Sequence, residues 1–296
     1  MKNCVLLLIG LAAVGRIVAG EVDPAYKTEI ETWRAQRVAR LTTPDGWLTL
    51  IGLHFLKDGE NTVGSASDND LVLAGGPAHF GKVLAGADGR VNVELSAAAE
   101  PRIDGKPALA GELQWRAGRP TVVASGTVSF FVVERGGKKA LRVKDSAADS
   151  RAHFLGLDYF PTDPTWRIEA TWVEFDEPRT VSITNILGVT GPAIVHGKAV
   201  FERDGQKIEL LPIDEGPGEP LFFVISDATS GKETYGAARF VYADAPVDGK
   251  VVIDFNRAQN PPCAFTAFAT CPLPPKDNRL PFAVEAGEKN YRGAHH

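Results

Sequence analysis

The chain has 296 residues, 44% hydrophobic and 23% charged, with a formal net charge of −5. That length can hold more than one hydrophobic core. An acidic chain without a basic cluster argues against nucleic acid or an anionic membrane as partner.

Residues 1–20, MKNCVLLLIGLAAVGRIVAG, join an early lysine, a short apolar run and a Val18-Ala19-Gly20 ending. These are the three parts of a secretory signal peptide. The run is short and interrupted by Arg16, so no membrane span is expected there, and no other stretch approaches spanning length. Cys4 stands too early to accept a lipid. The expectation is an exported protein, periplasmic or secreted.

Residues 21–43 are expected to form an N-terminal helix. Asp23 suits the N-cap and Pro24 the first turn. Tyr26, Ile30, Trp33 and Leu41 fall near one face, with Lys27, Glu31, Arg34 and Arg37 mostly elsewhere. The apolar stripe is expected to pack on the sheet that follows.

From Gly46 onward the pattern is β. Short apolar runs at 47–53, 70–73, 91–95, 121–134 and 140–143 are separated by Gly, Asp and Pro turns. This predicts a sandwich or small barrel. The polar, aperiodic KDSAADS at 144–150 marks a boundary. It divides an N-terminal β-rich half, 44–149, from a C-terminal β-rich half, 150–296. The fold class is therefore mainly β: a helix followed by two β-rich halves.

Within the first half, ENTVGSASDNDLVLAGGPAHFGKV resembles the opening strands of a forkhead-associated domain, at fold level only. Ser65 stands where that family's phosphothreonine-reading arginine would be, and Gly76 replaces the serine before His79. Phosphopeptide reading is not expected, and His79 reads as a turn or packing residue.

In the second half, strands are expected at 167–175, 180–184, 198–202 and 208–212. The runs 221–226, 235–242 and 250–256 then suggest a three-strand antiparallel meander. Its geometry would bring Asp227, Thr229, Glu233, Thr234, Tyr235, Asn256 and Arg257 to one sheet edge. There the proline-set loop of residues 260–275 begins.

Asp227, Thr229, Tyr235, Arg239, Asp254, Asn256 and Asn260 are accordingly the candidate ligand-binding residues, suited to a small polar ligand. A second reading is a carboxylate hydrolase or lyase. Asp227 and Glu233 would act as acid and base, with Arg239 or Arg257 steadying developing charge. A third is a structural envelope protein. The same residues also have a plain structural account. Asp227 to Gly231 suits a hairpin loop, Asp254 could pair with Arg239, and Asn256 and Asn260 could tie down the loop.

No nucleophile elbow, H-E-x-x-H motif or complete phosphate loop is present. The six histidines are scattered singly. No cofactor and no metal site is expected, although Ser67-Asp68-Asn69-Asp70 could hold calcium weakly. Cys263 and Cys271 lie eight apart in the proline-set loop. In an oxidising compartment they are expected to pair, for about 2–3 kcal/mol.

GWLTLIGLHFL, YFPTDPTWRIEA, DATSGKETYGAARF, FNRAQNPPCAFT, ATCPLPP, DNRL and AGEK follow one another along the chain. In this order they resemble the signatures of a secreted bacterial and archaeal family, domain of unknown function 1684. The resemblance runs over roughly residues 30 to 292. It implies a fold-sized unit and marks polar positions, and it supplies no reaction.

Overall fold

A computed structural model of the chain describes residues 22–116 and 119–293. The leader expected at 1–20 lies outside the described residues. Helix α1 (Pro24–Leu41) starts as its sequence suggests, with Asp23 Oδ1 accepting from Ala25 N at 3.0 Å. That bond satisfies one of the donors a helix start leaves unpaired.

The first half then forms β1 (Leu50–Phe55), β2 (Gly59–Gly64), β3 (Leu71–Val72), β4 (Gly81–Ala85), β5 (Val91–Leu95), β6 (Arg102–Ile103), β7 (Lys106–Pro107), β8 (Ala110–Glu112), β9 (Val123–Ser125), β10 (Val128–Arg135) and β11 (Lys138–Asp145). One sheet runs β1-β11-β10-β9-β6-β7 and the other β3-β2-β4-β5-β8. Alternation along each strand sends Val63, Val83 and Val93 from one sheet against Phe130, Val132, Leu141 and Val143 from the other. Phe80 meets Phe130 edge to face with centroids 5.2 Å apart.

The opposite side chains of β10 and β11 face away from that core. Phe131 is paired with Arg142 and Ser129 with Lys144. This outer face takes part in the site.

The acidic run at 67–70 is committed to its own loop. Asp70 accepts from Lys57 Nζ at 2.5 Å, Thr62 N at 2.9 Å and Thr62 Oγ1 at 3.0 Å. These bonds, Lys57 foremost, hold its carboxyl down at about 2. Ser65 Oγ donates to Gly76 O at 3.0 Å, and His79 is exposed 3.8 Å from Asp68.

The second half holds α2 (Asp149–Ala152), β12 (Arg167–Thr184), β13 (Thr190–Arg203), β14 (Gln206–Leu210), β15 (Leu221–Ile225), β16 (Arg239–Ala243) and β17 (Lys250–Asp254). The expected strands 167–175 and 180–184 are one long strand, with a register shift between Glu174 and Arg179. Its core gathers Trp166, Ala170, Phe201, Leu210, Phe223, Val241, Ile253 and Phe255.

The structure departs from the expected pattern in two places. The three-strand meander does not form. β17 pairs with β12, from Arg167↔Asp254 to Thr171↔Lys250, and β15 and β16 remain a two-stranded ribbon. Strand β12 offers β17 a free edge on which Val251 and Ile253 reach the core beside Ala170. Strand β16 also starts late, because the Lys232, Glu233 and Thr234 amides all turn back to Thr229 O.

Helix α1, in turn, docks on the closing segment of the chain and not on the sheet that follows it. Arg37, expected off the packing face, is buried: its Nε donates to Glu288 Oε1 and its Nη2 to Asn260 O, each at 2.8 Å. A buried arginine is tolerable when its donors are met in this way.

Among the described residues, no helix is long and apolar enough to cross a membrane. The structure is mainly β, with a helix at its start.

Candidate functional site

The residues singled out in the sequence fall into several separate, inward-facing networks. Arg239, 1% exposed, donates through Nη2 to Asp227 Oδ2 and, at 2.9 Å, to Val284 O. Its Nη1 donates to Ala286 O at 2.5 Å. The other Asp227 oxygen accepts from Thr229 N at 2.6 Å and Thr229 Oγ1 at 2.5 Å, and the Thr229 hydroxyl meets Thr234 Oγ1 at 2.8 Å. Burial pulls the Arg239 pKa down, and the Asp227 charge opposes that pull. The Asp227 carboxylate and the two Arg239 Nη groups are spent on each other, on Thr229 and on the backbone, while Arg239 Nε is buried without a partner.

Asp254 does not pair with Arg239. It accepts from Tyr26 Oη at 2.9 Å through both oxygens, and the Asn256 amide bridges Tyr26 Oη at 3.0 Å to Asp163 O at 2.8 Å. Burial first, then Asp254, pushes the Tyr26 hydroxyl well above its ordinary range. Asn260 N donates to Glu288 Oε2 at 2.7 Å, and its side-chain amide donates to Lys289 O at 2.7 Å.

Glu233 is exposed while Asp227 is buried, so the two carboxylates do not face one cavity. Tyr235 Oη donates to Cys263 O at 3.1 Å. The expected bridge between Cys263 and Cys271 is not formed. Both are free, buried thiols, with Cys263 N 3.2 Å from Cys271 Sγ. The proline-set loop brings them side by side as hydrogen-bonded thiols: Cys271 holds the Cys263 thiol below its usual range, and Cys263 raises Cys271 far above it.

The open space lies elsewhere. A cleft of about 1170 Å³ opens where the outer face of β10 and β11, helix α1 and the β12–β17 edge meet. Trp47, Phe131, Arg142 and Lys144 line it from the first half, Trp33 and Arg40 from α1, and Arg167, Tyr242, Asp254 and Gln259 from the second. It is large enough for a small organic ligand, with mixed aromatic and polar walls.

Arg142 is its unusual member. It is 6% exposed, yet no described residue accepts a hydrogen bond from it or forms an ion pair with it, and its Nε is buried without a partner. Its one close charge-compensating contact among the described residues is the Trp47 ring, whose centroid lies 5.4 Å from the guanidinium carbon. Burial, followed by repulsion from Arg135, lowers its pKa to about 10, so it remains cationic at neutral pH.

Lys144 is also lowered by burial, and its ammonium is drawn to Asp45 O and the Phe131 ring. Arg40 and Arg167 join Arg142 as cleft cations without an ion-pair partner among the described residues.

Sequence reasoning reached Asp254 and Arg257 of this cleft but missed Arg142, Lys144, Trp33, Trp47 and Tyr242 as site residues. One signal was available. In ALRVKD the cationic residues alternate with core residues on a strand whose two faces are both covered. Arginine at such a position needs a partner.

What the fold and this cleft describe is a β-rich protein whose two halves enclose a polar, aromatic-walled space. The chain belongs to the family described as "Protein of unknown function (DUF1684)", whose model matches residues 152–289. The match lies within the second half, and of the motifs in the sequence only GWLTLIGLHFL falls outside it. A solution NMR structure of an uncharacterised protein from Haloarcula marismortui is similar at 31% sequence identity. That similarity covers 49% of this chain and 81% of the archaeal one, with a TM-score of 0.41. No curated protein matches the chain.

Proposed function

We propose that this is a binding protein for a small polar ligand, seated in the cleft between the two halves. We also infer export, from the leader-like residues 1–20. The observation that carries the binding reading is Arg142. A buried guanidinium none of whose nitrogens meets an acceptor among the described residues costs stability unless something supplies the missing acceptor. Clefts that join mixed polar groups to exposed aromatic rings are common ligand sites.

The Asp227, Thr229, Tyr235, Arg239, Asn256 and Asn260 set supports the site by fixing the elements around it. Asp227–Arg239 holds β16 to the 284–286 segment, and Tyr26–Asp254 holds α1 over β17. Asp254 belongs to both roles, since it also lines the cleft. The carboxylate hydrolase reading lacks a shared cavity for Asp227 and Glu233.

The five tryptophans provide a test with internal controls. Trp33 and Trp47 line the cleft, whereas Trp115, Trp166 and Trp172 do not. Small-molecule fractions from the source cell are titrated into the ¹⁵N-labelled protein. At least one fraction is expected to move the Trp33 or Trp47 indole signals and leave the other three in place. Shifts confined to the other three would place binding outside the cleft.

A further inference from the structure

We propose that the ligand of this cleft is an oxyanion, a carboxylate or a phosphate ester, carried on a flat apolar group. Arg142 clamps the oxyanion and the aromatic walls hold the flat group. The proposal rests on the cleft being a binding site and adds the class of its occupant.

The charge balance of the cleft points to an anion. Two cleft carboxylates are already answered: Glu29 pairs with Arg257, and Glu169 lies 3.4 Å from Lys250 Nζ. Asp254 takes the Tyr26 hydroxyl and lies 3.6 Å from Arg257 Nε. Asp45, which faces Lys144, and Asp244 and Asp248 are exposed, where water screens them. On the covered side stands Arg142, with Lys144 on the same strand and Arg135 near enough to repel it. The covered groups beside Arg142 are cations, which favour an anion over a cation as its partner.

Guanidinium chemistry narrows the anion. Its fork of donors matches the paired oxygens of a carboxylate or phosphate, and bonds to such groups are charge-assisted. The Arg142 fork meets no such acceptor from the described protein.

The walls supply the second half. Trp47 and Tyr242 are each 37% exposed, which is high for large aromatic rings beside a cleft. Trp47 comes from the first half and Tyr242 from the second. Tyr242 is fixed from behind by stacking on Phe222, with centroids 4.9 Å apart and planes 14° from parallel. Trp47 already lies against the Arg142 guanidinium. A flat group attached to the oxyanion would cover these rings as the oxyanion meets Arg142.

The test titrates 2-naphthoate, 2-naphthyl phosphate and the neutral 2-naphthamide into the full chain. Binding is read by calorimetry and by the Trp47 indole signal. Both anions are expected to saturate the Trp47 shift, with the amide bound roughly tenfold or more weakly, as the loss of a charge-assisted hydrogen bond implies. Arg142→Gln, checked for folding by its melting curve, is expected to bring the anions down to the level of the amide. Arg142→Lys should retain part of the preference.

Trp47→Leu, read by calorimetry, should weaken all three naphthyl compounds by removing one aromatic wall. Tighter binding of the carboxylate or of the phosphate names which oxyanion the site takes. Equal binding of the amide, or an Arg142→Gln variant that binds the anions as well as the parent, overturns the oxyanion assignment while leaving the cleft as a site. Failure of all three compounds to move Trp33 or Trp47 at millimolar concentration overturns both.

Discussion

Asp227→Asn lowers the stability of the folded chain by about 3–5 kcal/mol, the usual cost of leaving one member of a buried ion pair alone. Arg239 would keep its bonds to Val284 O and Ala286 O but lose its counter-charge at 1% exposure. The Thr229 amide and hydroxyl would lose a charged acceptor at the same time. Denaturant unfolding with a common m-value measures the loss. Joint replacement, Asp227→Leu with Arg239→Met, should cost less than the sum of the single changes, because it removes both charges together. A single Asp227→Asn change within about 0.5 kcal/mol of the parent, the range of an ordinary surface substitution, would mean that the pair does not hold β16 in place.

Arg142→Met has the opposite sign. Removing an unpaired buried charge relieves a desolvation cost of about 1–3 kcal/mol. The lost Trp47 contact returns part of it, about 0.5–1 kcal/mol. The middle of these ranges is a net gain of about 1 kcal/mol, or roughly 2–4 °C in melting temperature for a chain of this size. A residue that destabilises its own fold is expected where function requires it. Calorimetric melting of the ligand-free variant checks this. A clear loss of stability would show that Arg142 is satisfied from within the protein.

The mainly β architecture and the leading helix were legible because they rest on local signals. Asp23-Pro24 caps a helix, and alternation with Gly, Asp and Pro turns marks strands. The partner of β17 was not legible. Adjacent strands that alternate equally well can join a ribbon or a distant edge, and the free edge of β12 depends on contacts far apart in sequence. The docking of α1 was missed for a related reason. Arg37 looks like a solvent residue until Glu288, some 250 positions later, is folded beneath it.

The site shows the same division. The signature polar residues stood out because they cluster in sequence: Asp227, Thr229 and Arg239 in one stretch, Asn256 and Asn260 in another. In the fold they bind one another and the backbone. The cleft draws its residues from segments scattered between Glu29 and Gln259, with Trp47, Arg142 and Tyr242 each unremarked in its own segment. Arg142 stands apart through what the fold withholds from it, and no sequence window contains that.

A crystal structure of the protein soaked with 2-naphthoate would show whether Arg142 holds an oxyanion. The expected result is a carboxylate within hydrogen-bonding distance of the Arg142 guanidinium and a ring against Trp47 or Tyr242. A naphthoate bound elsewhere, or an Arg142 guanidinium whose Nε donates to a protein carbonyl in that structure, would contradict it.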